Sequence, residues 1–169
     1  MTNVIQPKKG IHTISFLVAN KPGVLVRVAL VFARRGYNID SLVVSPSVNP
    51  KYSRMTITAS GDPQTLEQII KQSAKLVDVI HVSEHTGIDS ITREFALFKV
   101  KCPASKKAAI KKAIKTKAHI VDDHEGALII GKTGTTEELD CFEMDIKKFG
   151  IIEMVRSGKL VMAIGKEPT

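Results

Sequence analysis

Asn20-Lys21-Pro22-Gly23-Val24-Leu25 is the stretch at which the chain turns from strand to helix, and the rest of the fold is laid out around it. Before it, Ile11 to Val18 alternates, with Ile14, Phe16 and Val18 on one side, the period of a half-buried strand. After it, Leu25, Val28, Ala29 and Phe32 recur at helical spacing, which predicts a helix starting near Pro22 or Gly23 with one face on a sheet. Such a turn leaves the first helical N–H groups without intrahelical acceptors, with the positive end of the helix dipole behind them. It suits a carboxylate. Pro22 presets φ and removes one orphan donor, and Gly23 keeps Cβ away so that a small molecule can reach the backbone. The same residues would also serve a turn with no ligand, since Pro-Gly is common punctuation.

Downstream, Arg35-Gly36 stops the helix, and Tyr37 to Val44 reads as a second strand. A turn-rich loop, 45–50, leads into Tyr52–Ala59, completing an antiparallel pair. Asp62-Pro63 opens a helix with inward Leu66, Ile69, Ile70 and Ser73, and Val77–Val82 follows as a strand. The order of this half is βαββαβ. Residues 84–90 lose periodicity and read as a link. The second half repeats the order. Arg93–Cys102 alternates through Phe95, Leu97 and Lys99, and a lysine-rich helix runs from about Ser105 to Lys117. His119–Asp122 and Ala127–Ile130 pair around a polar turn, and Thr135 and Glu138 have capping-box spacing ahead of Leu139, Phe142, Ile146 and Phe149. Ile151–Val155 closes the half, and Leu160–Ile164 is an apolar tail able to pair with it. The fold class expected is α+β, two tandem ferredoxin-like (βαββαβ) domains. Residues 1–10 are a polar tail, 11–86 the first domain, 87–92 a linker, 93–165 the second domain and 166–169 a tail.

The formal charge is +8, and its spread decides what it means. Residues 1–92 hold 10 Lys and Arg against 6 Asp and Glu, and residues 93–169 hold 15 against 11, so neither half is a basic arm. Lys106, Lys107, Lys111, Lys112, Lys115 and Lys117 interleave with Ile110, Ala113 and Ile114, the solvated side of an amphipathic helix. Without Trp and with few aromatics, a stacking surface for nucleic acid is not expected. No apolar run of membrane length and no secretory leader is present, so a cytoplasmic protein is expected. Cys102 and Cys141 show no metal-ligand spacing and read as free thiols.

Two motifs are decoys. Gly126-Ala127-Leu128-Ile129-Ile130-Gly131-Lys132-Thr133 fits the phosphate-loop pattern GxxxxGK[ST], but its middle residues spell a strand and Gly134 displaces the helix start to Thr135. Asp122-Asp123-His124-Glu125 offers metal-type ligands, yet consecutive strand residues point to opposite faces and no second ligand pair has the spacing. The remaining histidines, His12, His81, His85 and His119, stand beside no recognisable nucleophile, so no catalytic residue and no metal site is expected.

The run HTISFLVANKPGVLVRVALVFARRGYNIDSL at 12–42 resembles the small regulatory subunits of acetohydroxyacid synthase, also called acetolactate synthase, whose first half is an ACT domain. SRMTI at 53–57, KLVDVIHVSE at 75–84 and EMVRSGKL at 153–160 extend the resemblance from about His12 to Ile164. It implies a non-catalytic chain that pairs through its ACT domains, binds a catalytic large subunit, activates it, and confers feedback inhibition by a branched-chain amino acid, usually valine. Thiamine diphosphate, Mg²⁺ and FAD would sit on that large subunit, with no cofactor in this chain. Transferred residue by residue, Asn20 would bond the amino acid, Pro22 would shape the turn, the Gly23, Val24 and Leu25 backbone would hold its carboxylate, and Asn38 with Ile39 would close the pocket. An ACT-type sensor regulating another enzyme or a transcription factor is the alternative, and EMVRSGKL speaks against it.

Overall fold

The computed structural model describes residues 10–85, 90–124, 126–166 and 169. The N-terminal tail up to residue 9, residues 86–89 with the first half of the linker, Glu125 of the polar turn and residues 167 and 168 lie outside the described residues. The chain divides into two compact units, one holding Met1–Ile91 with Lys159–Thr169, the other Thr92–Gly158.

In the first unit, β1 (Ile11–Ala19), α1 (Val24–Ala33), β2 (Ile39–Pro46), β3 (Tyr52–Ser60), α2 (Pro63–Ser73) and β4 (Val79–Glu84) follow in sequence. The sheet is antiparallel between neighbours, in the order β2-β3-β1-β4, so β2 and β4 are its edges. Ile14, Phe16 and Val18 of β1, Met55, Ile57 and Ala59 of β3, Val24, Val28 and Phe32 of α1, and Leu66 and Ile69 of α2 form one buried cluster. Each buried Phe or Ile contributes about 1.5–3 kcal/mol relative to exposure. Asp62 caps α2 by accepting from the Thr65 N–H at 2.8 Å, with Pro63 in the first helical position. Two strands start later than periodicity suggests, β2 at Ile39 rather than Tyr37 and β4 at Val79 rather than Val77. The Tyr37 hydroxyl donates to the Asp62 carbonyl instead of continuing the strand, and the Val79 N–H bonds the Leu76 carbonyl in a turn.

In the second unit, β5 (Ser90–Lys101), a 3₁₀ turn at Ala104–Lys106, α3 (Lys107–Ile114), β6 (His119–His124), β7 (Ala127–Gly134), α4 (Thr136–Lys147) and β8 (Ile151–Arg156) build a sheet ordered β6-β7-β5-β8. The core face of β5 corrects the sequence reading. Ala96, Phe98 and Val100 are buried, whereas Phe95 is 37% exposed. Both faces of this strand carry large apolar residues, Phe95 and Leu97 on one and Ala96, Phe98 and Val100 on the other, although Arg93, Lys99 and Lys101 share the first, and a one-residue change of phase exchanges them. Phe98 wins because it meets Phe142 of α4 edge to face, at 5.4 Å between centroids. The last strand, β9 (Leu160–Ala163), pairs with β5 and not with β8. β8 registers with β5 only from Ala96 to Val100, so the twelve-residue β5 outruns it. Residues 159–165, read from sequence as part of the second domain, group with the first unit. There the Arg54 guanidinium donates to the Thr169 carbonyl, and the Ala163 N–H donates to Thr169 Oγ1 at 2.8 Å.

Local chemistry also explains the phosphate-loop decoy. Residues 127–134 are a strand whose glycines answer to side chains: a Cβ on Gly131 would lie 2.4 Å from His119 Nε2, and one on Gly134 would lie 2.6 Å from Glu138 Oε2. The helix begins after Thr135, with the capping box complete in both directions. Asp123 is clamped by Lys107 at 2.8 Å and Lys111 at 2.9 Å, and those hydrogen bonds hold its carboxyl below the usual range. Among the described residues, no group of three His, Cys, Asp or Glu is arranged to hold a metal. Cys102 is buried and Cys141 exposed, both free. No described helix is long and apolar enough to cross a membrane.

Candidate functional site

The turn after β1 is built by Lys21-Pro22-Gly23-Val24. The Val24 N–H approaches the Lys21 carbonyl at 3.5 Å, and Gly23 has φ 83° and ψ −10°. Pro at the second and a left-handed Gly at the third position make a type II turn. Gly23 is therefore required by its backbone angle as well as by access. The helix starts at Val24, one residue later than the Pro22–Gly23 start expected, so Pro22 lies outside it and removes none of its orphan donors. Gly23 is the N-cap residue and supplies no side-chain acceptor. The Arg27 N–H takes the Gly23 carbonyl at 3.1 Å, which leaves the Leu25 and Val26 N–H groups as first-turn donors without intrahelical acceptors.

Around those donors, Asn20 is anchored by two bonds to the β2–β3 loop: its backbone N–H donates to the Lys51 carbonyl at 2.8 Å and its Nδ2 to the Pro50 carbonyl at 3.0 Å. Among the described residues its Oδ1 takes part in neither bond and can act as an acceptor. Val24 buries its side chain in the core, so only its backbone can serve a ligand, whereas Leu25 is 41% exposed and can form an apolar wall. Sequence reasoning missed Arg27. Its Nη1 would stand 3.1 Å from a Cβ on Gly23, and its Nη2 pairs with Asp78 Oδ2 at 2.5 Å. The signal was available, because residue 27 is one helical turn beyond Gly23.

Asn38 and Ile39 are not at this turn. Ile39 registers with Ala59 and thereby with His12, while Ala19 registers with Tyr52 at the other end of the sheet. Seven extended residues separate the ends, roughly 23 Å. Asn38 Nδ2 donates to Asp40 Oδ1 at 3.2 Å and is exposed. One copy of the chain thus brings Asn20, Pro22, Gly23, Val24 and Leu25 together and leaves Asn38 and Ile39 apart from them.

Two hydroxyl–imidazole pairs were not foreseen: Ser15 Oγ with His85 Nε2 at 2.7 Å and Ser83 Oγ with His81 Nε2 at 2.6 Å. The neighbouring carboxylate, Glu84, bonds His12 Nδ1 at 2.7 Å instead, so it orients neither ring of these pairs. Burial holds the His85 imidazole below its ordinary pKa, and the charge of His81 adds to the effect. Because folding lowers this pKa, the unfolded chain takes up the proton first as pH falls. The contribution of His85 to stability is therefore complete above the unfolded value of 6.5 and is lost as pH drops below it toward the depressed native value. Thermal melts at pH 7.5 and pH 5.5 should show a lower midpoint at the acidic pH, and His85→Gln should narrow that gap.

Two separate family matches cover the chain, one within the first unit and one that spans the second unit and runs on past Gly158. Residues 14–81 match the family described as the AHAS small subunit-like ACT domain, and residues 93–165 match the small subunit of acetolactate synthase. A relative from Archaeoglobus fulgidus is 43% identical over 157 residues, covering 92% of this chain and 98% of its own. An acetolactate synthase small subunit from Mycolicibacterium smegmatis is 41% identical over 158 residues, covering 93% and 92%. The crystal structure of an acetolactate synthase small subunit from Thermotoga maritima superposes with a TM-score of 0.83 at 35% identity, covering 94% of this chain and 99% of that one. On a two-unit α+β fold whose halves both match along nearly their whole length, the chain belongs to the family of acetolactate synthase small subunits, which are regulatory and non-catalytic.

Proposed function

We propose that this chain binds a branched-chain amino acid at the β1–α1 turn and transmits that state to an acetolactate-forming large subunit, which it also activates. The observation that supports the reading is the pair of N–H groups at Leu25 and Val26 without intrahelical acceptors, on the turn that follows Asn20 and that Gly23 leaves without a side chain. The ligand's carboxylate accepts from these N–H groups, with the helix dipole behind them, and its ammonium donates to Asn20. Leu25 faces its side chain.

A second copy completes the pocket. β2 is an edge strand running parallel to β1, from the Ile39 end toward the turn end. Antiparallel pairing of β2 with its two-fold copy reverses that direction and carries the copy's Asn38 and Ile39 to the turn. The exposed apolar residues Val26 and Leu30 on α1, 61% and 45% exposed, give such a homodimer a surface to cover. In this reading residues 11–86 are the regulatory ACT domain, 87–92 the link and 93–165 the second domain. Thiamine diphosphate, Mg²⁺ and FAD belong to the large subunit, and the assembly works in the cytoplasm. The ligand acts by binding one conformational state more tightly than another.

Calorimetric titration with valine, leucine and isoleucine should give saturable binding, with preferences that differ by about 1–3 kcal/mol per methylene. The chain alone should make no acetolactate from pyruvate with all three cofactors supplied, and should raise the rate of the large subunit when added. Turnover that follows this chain through purification overturns the reading.

A further inference from the structure

Some cations of the chain are held in ion pairs and others are not. In the second unit Lys107 and Lys111 share Asp123, Lys117 pairs with Asp145 and Lys99 with Glu153. In the first unit Arg27 pairs with Asp78, and Lys71 with Glu67. Glu67 is the single carboxylate in α2, and α1 has none. Arg34, Arg35 and Lys75 have no ion-pair partner among the described residues, are exposed, and line one groove between α1 and α2.

That groove has a volume of about 730 Å³, with Val31 and Leu76 contributing apolar surface and Gln72 an amide. Each helix runs back along the strand before it, and β1 and β3 are antiparallel, so α1 and α2 are antiparallel as well. The C-terminal end of α1 therefore lies by the start of α2, placing Arg34 and Arg35 at one end of the groove and Lys75 at the other. The α2 side extends from Thr65 to Leu76, roughly 16 Å at the helical rise. Helix dipoles account for one cation at each C-terminus. They do not account for a second arginine, nor for the absence of any carboxylate along the seam.

We propose that this groove docks an extended acidic segment of the protein partner, with carboxylates at both ends and an apolar residue between them. The proposal rests on the large-subunit reading above and assigns a place on this chain to that contact. Cations spread along a groove match a chain of spaced charges, whereas a small anion is held by donors that converge on one point. The residues lining the groove include none of those at the β1–α1 turn, so docking and amino-acid binding use different side chains.

The test is the full-length triple variant Arg34→Gln, Arg35→Gln, Lys75→Gln, with the purified large subunit as the probe. Its circular dichroism, melting midpoint, dimer mass and calorimetric affinity for valine should equal those of the parent chain. Its affinity for the large subunit, measured by sedimentation at about 0.1 M salt, should fall by at least about ten-fold, and the salt dependence of association should flatten. Unchanged affinity overturns the proposal. Loss of the dimer assigns the groove to a second copy. Parent protein that binds inorganic pyrophosphate here, with large-subunit association untouched, assigns it to a small anion. Both of these outcomes also overturn it. If the parent chain itself fails to bind the large subunit, the functional reading falls, a result distinct from a parent that binds and a variant that binds equally well.

Discussion

Gly23→Asp is expected to abolish inhibition by the branched-chain amino acid while leaving activation of the large subunit in place. The new carboxylate enters the site at which the ligand's carboxylate must accept from Leu25 and Val26. Like charges about 4 Å apart in a partly desolvated pocket oppose each other by up to about 4 kcal/mol at an effective dielectric near 20, roughly a thousand-fold in affinity. Two features of the turn bear on the outcome. Gly23 has φ 83°, a left-handed conformation that costs an L-residue about 1–2 kcal/mol, with Asp among the more tolerant. Arg27 Nη1 stands 3.1 Å from the new Cβ, so the guanidinium can turn from Asp78 toward the introduced carboxylate and keep the helix start folded. Gly23→Asn carries the same backbone strain without the charge, and should weaken inhibition far less. Acetolactate formation by the reconstituted enzyme across an amino-acid titration decides the matter. Unchanged sensitivity removes Gly23 from the site, and loss of both activation and inhibition marks a misfolded turn.

Arg156→Leu should produce the largest loss of stability in the second unit. Arg156 belongs to the EMVRSGKL run, and its guanidinium ties three elements: Nε and Nη2 reach Glu94 Oε2 of β5 at 3.1 and 3.0 Å, and Nη1 reaches Asp140 of α4 at 2.6 Å. Glu94 is only 6% exposed and accepts one further bond, from Thr136 Oγ1 at 2.5 Å. Burial works against the Arg156 charge, yet the carboxylates of Asp140 and Glu94 outweigh it and raise its pKa. Removing the arginine strands the Glu94 carboxylate in the interior, at a cost of about 3–5 kcal/mol against a typical domain stability of about 5–15 kcal/mol. Thermal unfolding should show a midpoint lower by roughly 15–25 °C. Arg156→Leu combined with Glu94→Leu removes both charges and should recover much of the loss, whereas a double variant as unstable as the single one would mean that packing, not the stranded charge, sets the cost. The amino-acid affinity of the first unit should not change in either variant.

The sequence by itself determined whatever rests on contacts a few residues apart. The Asp62-Pro63 start of α2 and the Thr135–Glu138 capping box are bonds over three residues, so the local letters contain them in full. The presence of a turn at Pro22-Gly23 is of the same kind, although its type II geometry and the helix start at Val24 came from the structure, and so is the rejection of the phosphate loop, since Ala127-Leu128-Ile129-Ile130 can hardly be other than a strand. The family resemblance, carried by runs such as ANKPGVL and EMVRSGKL, was legible for the same reason. Tertiary structure alone decided the partners. β5 carries large apolar residues on both faces, and packing against residues distant in the chain, such as Phe98 on Phe142 44 positions away, seats Ala96, Phe98 and Val100 in the core. Glu94 and Arg156 are a structural pair separated by 62 residues. β9 follows β8 directly yet pairs with β5. Asn38 stands eighteen residues from Asn20 in the chain, and the strand register puts the length of β1 between them. Residue pattern sets which side chains want burial or a partner, but the choice among alternative faces and distant charges is made by register and helix packing, which no short window of sequence contains.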